Sequence, residues 1–367
     1  MCVFFYLFIL VEAGFFLVEC TMDGNSAFAL DELLFFQVVS GMRVLRFWLV
    51  RVVLPLCAAL VVGGCMISQC SGPEHAGRLE VKDGLPARLE KHVRFLSEDC
   101  HPRSVGFPAN QEKVLRYIEK ELEGCGGEVK RLPFKAGERT YENVQVVFPG
   151  RRAERVVVGA HYDSCGETPG ADDNASAVAG LLELARMMRG CKPECTVELV
   201  FYANEEPPFF ATEDMGSAHH ARSLVRDGVQ VRAMVCLEMI GFFSDEDDSQ
   251  SYPVPGMGLL FPDRGDFVAV VGNWGSFGLA RGVQRKLAEF LPTVRLNVPD
   301  VGLGLDLSDH RSYWAEGLPA VMVTDTAFFR NRSYHQPTDT ADALDYRRMA
   351  GVVKGVYEAV KELASGE

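Results

Sequence analysis

Three runs of the chain, RVVVGA from Arg155, VELVFYAN from Val197 and AMVCL from Ala233, are apolar almost without interruption and end abruptly at His161, Glu205-Glu206 and Glu238. A strand with one wet face alternates polar and apolar residues, so continuous apolar runs describe strands covered on both faces. Further runs, EVKRLPF, YENVQVVFPG, DFVAVVGN and PAVMVTDT, are interleaved with helical spacing over 88–98, 110–124, 174–189, 275–290 and 342–364. The pattern predicts a three-layer α/β/α fold on a mostly parallel mixed sheet, with ligands at the carboxyl ends of the strands. Composition agrees: 367 residues, 48% hydrophobic and 24% charged, suit a packed globular chain. With 37 basic against 50 acidic residues, a net charge of −13 argues against a nucleic-acid surface built on phosphate neutralisation.

The chemistry sits where the strands end. Besides His161, the glutamate pair and Glu238, a Gly-Ala-Asp-Asp turn places Asp172 and Asp173 just before a helix, and His335 follows the last strand in YHQPTDT. Each has a plainer explanation alone, since aspartates cap helices and adjacent glutamates commonly face water. Buried together without partner charges they would be costly, and a metal cluster accounts for all of them. Two histidines and three carboxylates suit zinc or a similar borderline ion better than calcium or magnesium. Five ligands fit two ions roughly 3.5–4 Å apart that share one carboxylate and can hold a hydroxide between them. Asp163, two residues after His161, is placed to accept that histidine's other ring N–H.

HYDS at 161–164, GADDNAS at 170–176, NEE at 204–206, LEMIG at 237–241, SDH at 308–310 and YHQPTDT at 334–340 follow in this order. They resemble the di-zinc aminopeptidase family of zinc exopeptidases, which contains bacterial leucyl-type aminopeptidases and glutamate carboxypeptidase. The resemblance implies that Asp173 bridges two zinc ions, with His161 and Glu238 completing one site and Glu206 and His335 the other. It makes Glu205 the general base of peptide hydrolysis, and it implies a cis peptide bond between Asp173 and Asn174. Tyr334 resembles a tyrosine that donates to the tetrahedral oxyanion in some relatives, or it is a packing aromatic. His310 is read as contacting substrate or standing behind a ligand, or as capping its helix. Arg330 would grip a substrate carbonyl or carboxylate, or pair with local acids, and Phe209, after Pro207-Pro208, would wall the substrate pocket or pack its loop. Glu238 departs from the aspartate of several relatives by one methylene. Glutaminyl-peptide cyclisation, which uses one zinc on the same fold, is the alternative activity; a binding module that has lost its metal would lack ligands that are all present here.

The first 64 residues have a different texture. Arg43, Arg46 and Arg51 precede the apolar run VVLPLCAALVV and Val62-Gly63-Gly64-Cys65. That order is a secretory signal, and its end resembles the lipobox of bacterial lipoproteins. We therefore expect translation from Met42, an upstream extension and signal over 1–64, a lipidated tether over 65–87 and a catalytic domain over 88–367. The expected setting is the bacterial cell envelope, with membrane association through a lipid anchor at Cys65, peptides as substrates and no nucleic-acid partner. Export permits disulfides, and Cys191 and Cys195 in CKPEC are close enough to pair or to remain free thiols. The absence of any CxxC pair argues against a thiolate zinc site.

Overall fold

Side-chain alternation along the central strands divides the interior into two cores. In strand β4 (Arg152–His161), Val156, Val158 and Ala160 join one apolar cluster and Val157 the other. The same split runs through β5 (Cys195–Tyr202) and β6 (Val231–Glu238), where Leu199 and Leu237 face one side and Val200 and Met234 the other. Period-two geometry combined with apolar residues at both phases requires a cover on each face.

The computed structural model describes residues 71–74, 84–253, 256–298 and 305–366, all within the compact unit Ser68–Glu367. The expected start at Met42, the signal and Cys65 lie outside the described residues. The remaining strands are β1 (Ser71–Glu74), β2 (Glu128–Ala136), β3 (Arg139–Phe148), β7 (Val268–Asn273), β8 (Thr293–Val298) and β9 (Ala320–Thr324). They form a nine-stranded mixed sheet in the order β1-β8-β7-β9-β6-β4-β5-β3-β2. The four middle strands, β9, β6, β4 and β5, are parallel. Strand β1 falls within the stretch expected as tether and pairs antiparallel with β8.

Helices α1 (Leu85–Arg94), α2 (Pro108–Leu122), α3 (Ala177–Met187), α5 (Phe277–Leu287) and α7 (Tyr346–Ala364) contribute to the larger core, and α4 (Gly216–Arg226) and α6 (His310–Ala315) to the smaller. Helix α7 is fixed at its start by Asp345, whose carboxylate accepts from the amides of Arg347 and Arg348. Among the described residues no helix is long and apolar enough to cross a membrane.

Glu183 pins α3 to α1. Its buried carboxylate accepts from Arg88 Nε at 2.9 Å and Arg186 Nε at 2.8 Å, with His92 Nε2 at 3.4 Å. Burial alone would raise its pKa, but His92, Arg88 and Arg186 hold it at about 2. Because the folded value lies below the unfolded one, this stabilisation is complete above about pH 4.5 and is lost as pH falls toward 2. Glu183→Gln should therefore cost roughly 2 kcal/mol at neutral pH, after allowing for the half-exposed arginines, and little at pH 2. Urea melts at the two pH values check it; an equal loss at both would contradict the assignment.

Candidate metal centre

Parallel neighbours deliver their carboxyl ends to one edge. His161 closes β4, Glu238 closes β6, and the chain leaving β5 turns at Asn204 (φ 61°) to present Glu205 and Glu206. Met239 and His335, at φ 47° and 55°, also adopt left-handed backbone that non-glycine residues seldom take, a concentration typical of working sites. Asp173 comes from the loop before α3, where the Asp173–Asn174 peptide bond is cis, as the resemblance implied.

That loop is clamped from three directions. Asp339 accepts from the amides of Asp172 at 2.9 Å and Asp173 at 3.1 Å. The buried Arg103 guanidinium donates to the carbonyls of Pro169, Gly170, Tyr162 and Leu96 at 2.6, 2.7, 3.0 and 3.0 Å. Asn174 donates to Leu237 O and accepts from Met239 N, both at 3.0 Å. Gly170 sits at φ 58° where a β-carbon would strike Asp173 O, so only glycine fits.

The five predicted ligands converge. Asp173 Oδ1 lies 3.5 Å from His161 Nε2, and its Oδ2 lies 3.1 Å from His335 Nε2. Glu238 Oε2 is 3.3 Å from His161 Nε2, and Glu206 Oε2 is 3.3 Å from His335 Nε2. One carboxylate thus stands between two donor sets, each closed by a glutamate and an imidazole. Donor atoms of His161, Asp173 and Glu238 all lie within 4.8 Å of one another, near what a single ion requires. Neither ring nitrogen of the buried His161 makes a hydrogen bond of good geometry among the described residues, so the lone pair that a metal would use is uncommitted. Asp163 lies beside His161 as anticipated, its Oδ1 3.5 Å from Nδ1, but the expected hydrogen bond between them is not formed with good geometry. The same carboxylate also accepts from the amides of Glu205 and Glu206, at 3.2 and 3.0 Å, and so sets the position of both glutamates.

Negative charge is in excess here. Burial, reinforced by Asp173, pushes the Glu206 carboxyl up to about 7, and burial pushes Asp309 to about 7 as well. Burial also holds Glu205 well above the carboxylate range, with Glu206 and Glu238 adding to it. Burial alone would lower His335, yet Asp173 and Glu206 hold its imidazole up at about 10. Carboxylates that recruit protons and imidazoles that keep them signal a site short of positive charge, which divalent cations would supply. Glu205 Oε2 is 3.8 Å from His161 Nε2 and closes neither donor set, leaving it free to handle protons.

Other expectations fare differently. Tyr334 stacks on His335 with centroids 3.8 Å apart, and burial with the surrounding carboxylates raises its hydroxyl above the ordinary tyrosine value, so it keeps its proton to donate. Phe209 packs edge-on against Tyr141 at 5.4 Å and is absent from the described lining of the apolar pocket beside the centre. Arg330 does not reach for substrate: it is buried, donates to Gln250 Oε1 and Phe267 O at 2.9 and 2.8 Å, and lies over the Phe267 ring. His310 is likewise placed elsewhere. Its Nε2 meets Leu305 O at 2.9 Å, its ring packs edge-on against Trp314, and burial lowers its pKa to about 4. Its neighbour Ser308 takes the supporting role, donating to Glu238 Oε2 at 2.6 Å and so anchoring the longer side chain. Cys191 and Cys195 remain free thiols, the first against Tyr357 and the second against Glu154. The sequence also gave no warning of Cys165, whose sulfur lies within 4.8 Å of donor atoms of Glu206 and His335.

Comparison with known proteins agrees with this geometry. A family model described as peptidase family M28 matches residues 143–360. The chain is 44% identical over 298 residues to the protein YfbL of Escherichia coli (strain K12), a match spanning 78% of this chain and 88% of YfbL. It is 27% identical over 264 residues to a probable leucine aminopeptidase of Trichophyton verrucosum (strain HKI 0517), spanning 68% of this chain and 65% of that relative. LapB of Legionella pneumophila superposes with a TM-score of 0.60 at 18% identity, covering 83% of this chain and 81% of LapB. A glutaminyl cyclase of Porphyromonas gingivalis superposes at 0.58 and 17% identity, covering 76% of this chain and 98% of the cyclase. At such identities the two structures speak for the fold alone.

Proposed function

The chain belongs to peptidase family M28, and from that premise we propose that it is a zinc-dependent aminopeptidase that removes apolar N-terminal residues from peptides, with Glu205 as general base. The observation that carries the reading is Asp173 set between His161 and His335, 3.5 and 3.1 Å away, with Glu238 and Glu206 closing the two sets. His161, Asp173 and Glu238 would hold one zinc ion and Glu206, His335 and Asp173 a second. Zinc so bound would supply a Lewis acid that polarises a carbonyl and lowers the pKa of water. Glu205, desolvated and beside His161, takes the proton of the attacking water and passes it to the leaving amine. The Tyr334 hydroxyl donates to the oxygen on which negative charge develops. Cyclisation of N-terminal glutamine, the other activity of this fold, employs one zinc, and the shared carboxylate favours hydrolysis.

Specificity comes from the adjoining pocket. Glu238 and Tyr334 line it together with Phe267, Val271, Leu296, Met322, Phe328 and Phe329. A charged side chain entering such a lining forfeits its hydration without a partner. Leucyl and phenylalanyl anilides should be cleaved at least about tenfold faster than glutamyl or lysyl ones, since leaving a charge unpaired in an apolar lining costs more than the roughly 1.4 kcal/mol that a tenfold rate represents. The assay is run on a panel of aminoacyl anilides, N-acetylated peptides and glutaminyl peptides, with chelator and then with zinc restored. Activity that survives chelation, or cyclisation of the glutaminyl peptide without hydrolysis of the anilides, would refute the proposal.

Anchoring of the enzyme to the bacterial envelope through a lipidated Cys65 belongs to the same proposal and is supported by the sequence alone. Several acyl chains anchor stably where one binds marginally. Cys65→Ala should shift the protein from the membrane to the soluble fraction or stall its export, as fractionation would show; an unchanged membrane share would contradict it.

A further inference from the structure

We infer that Cys165 is a sulfur ligand of the ion held by Glu206 and His335, so that the two ions of this centre occupy unlike donor sets. The inference rests on the dinuclear reading above and assigns a residue outside the five ligands. Cys165 is a free, half-buried thiol, and its Sγ lies within 4.8 Å of donor atoms of both Glu206 and His335. A second observation points the same way. Glu206 is 3% exposed, its Oε2 faces His335 Nε2 at 3.3 Å, and its buried Oε1 has no hydrogen-bond partner of good geometry among the described residues. That oxygen belongs to a carboxylate that already borders the thiol and the imidazole.

Zinc holds sulfur at about 2.3 Å and nitrogen or oxygen at about 2.0–2.2 Å, so donors on one ion stand at most about 4.5 Å apart. The sulfur therefore needs to close by only a few tenths of an ångström. On binding, the thiol S–H bond breaks, its proton passes to solvent, and the sulfur electron pair forms the bond to the metal. The cluster of His161, Asp173 and Glu238 offers only nitrogen and oxygen. Cys165 would then join Glu206, His335 and the shared Asp173 as a fourth protein donor to their site, whereas the other would have three. The sulfur would bind its ion the more tightly, and His161, Asp173 and Glu238 would hold the ion beside Glu205.

The test titrates the metal-free full chain with cobalt(II) alone and reads absorbance. The expected result is two bound equivalents and a near-ultraviolet sulfur-to-cobalt charge-transfer band. That band should be lost in Cys165→Ser and Cys165→Ala and retained in Cys191→Ser, with circular dichroism showing each variant folded. Two equivalents with visible cobalt absorption but no charge-transfer band, or a band that survives in Cys165→Ser, overturns the inference and leaves the dinuclear reading standing. Fewer than two equivalents in the wild-type chain would overturn the dinuclear reading, and fewer than two without a band that depends on Cys165 would overturn the sulfur ligand with it.

Discussion

Replacing Glu205 by Gln should lower kcat on a leucyl anilide by about 10²–10⁴-fold, the range for a removed proton shuttle, while zinc content stays at the wild-type level. The two effects separate because Glu205 closes neither donor set, its Oε2 standing 3.8 Å from His161 Nε2. Glutamine keeps the size of the side chain, and the contact that positions the segment, from the Glu205 amide to Asp163 Oδ1 at 3.2 Å, uses the main chain. What is lost is basicity. Burial and the neighbouring Glu206 and Glu238 raise the affinity of this carboxylate for a proton, which is what a base must do before passing the proton to a leaving amine. Steady-state kinetics beside elemental analysis of the same preparation decide the matter; a variant within tenfold of wild type would remove Glu205 from the chemistry.

How much of this was visible in the sequence follows from what each residue does. Strands β4, β5 and β6 were legible because burial on both faces leaves only apolar residues between the ends, and the ligands were legible because they interrupt those runs. Strand β8 and helix α4 were not. The first alternates Val294 and Leu296 with the buried polar Arg295 and Asn297 over only six residues, and the second turns Ser217 and His220 inward beside Ala221 and Leu224, so neither shows the unbroken apolar signal of the central strands. The clamp on the Asp173 loop was equally hidden. Leu96 apart, Arg103 and Asp339 act on backbone groups 59 to 167 residues away in the chain, and no local pattern records such pairings. Arg330 and His310 show the converse failure: their types suit a substrate site, but side-chain direction, which sends one onto Phe267 and the other onto Trp314, is decided by packing. Cys165 escaped notice because thiolate zinc sites announce themselves by paired cysteines, and here one sulfur joins ligands from other loops.

The largest effect is expected at the bridge. Asp173→Ala should abolish activity and also remove both ions, because the two oxygens of this carboxylate face His161 and His335 separately. Loss of Glu206 or Glu238 would strip one set; loss of Asp173 strips both. Removing one carboxylate also relieves the crowding, so the metal-free variant need not be less stable than metal-free wild type. The diagnostic is therefore the stabilisation that zinc confers. A ligand at a thousand times its dissociation constant adds about 4 kcal/mol to a folded state that alone binds it. For a domain of this size that amounts to a rise of several degrees in Tm. Wild type should show this zinc-dependent rise and Asp173→Ala should show almost none. Asp173→Asn, which keeps the shape of the side chain but removes its charge and leaves one neutral oxygen donor, should fall between them. An Asp173→Ala protein that still binds two equivalents of zinc, or melts later with zinc as wild type does, would show that the two sites are built independently and share no carboxylate.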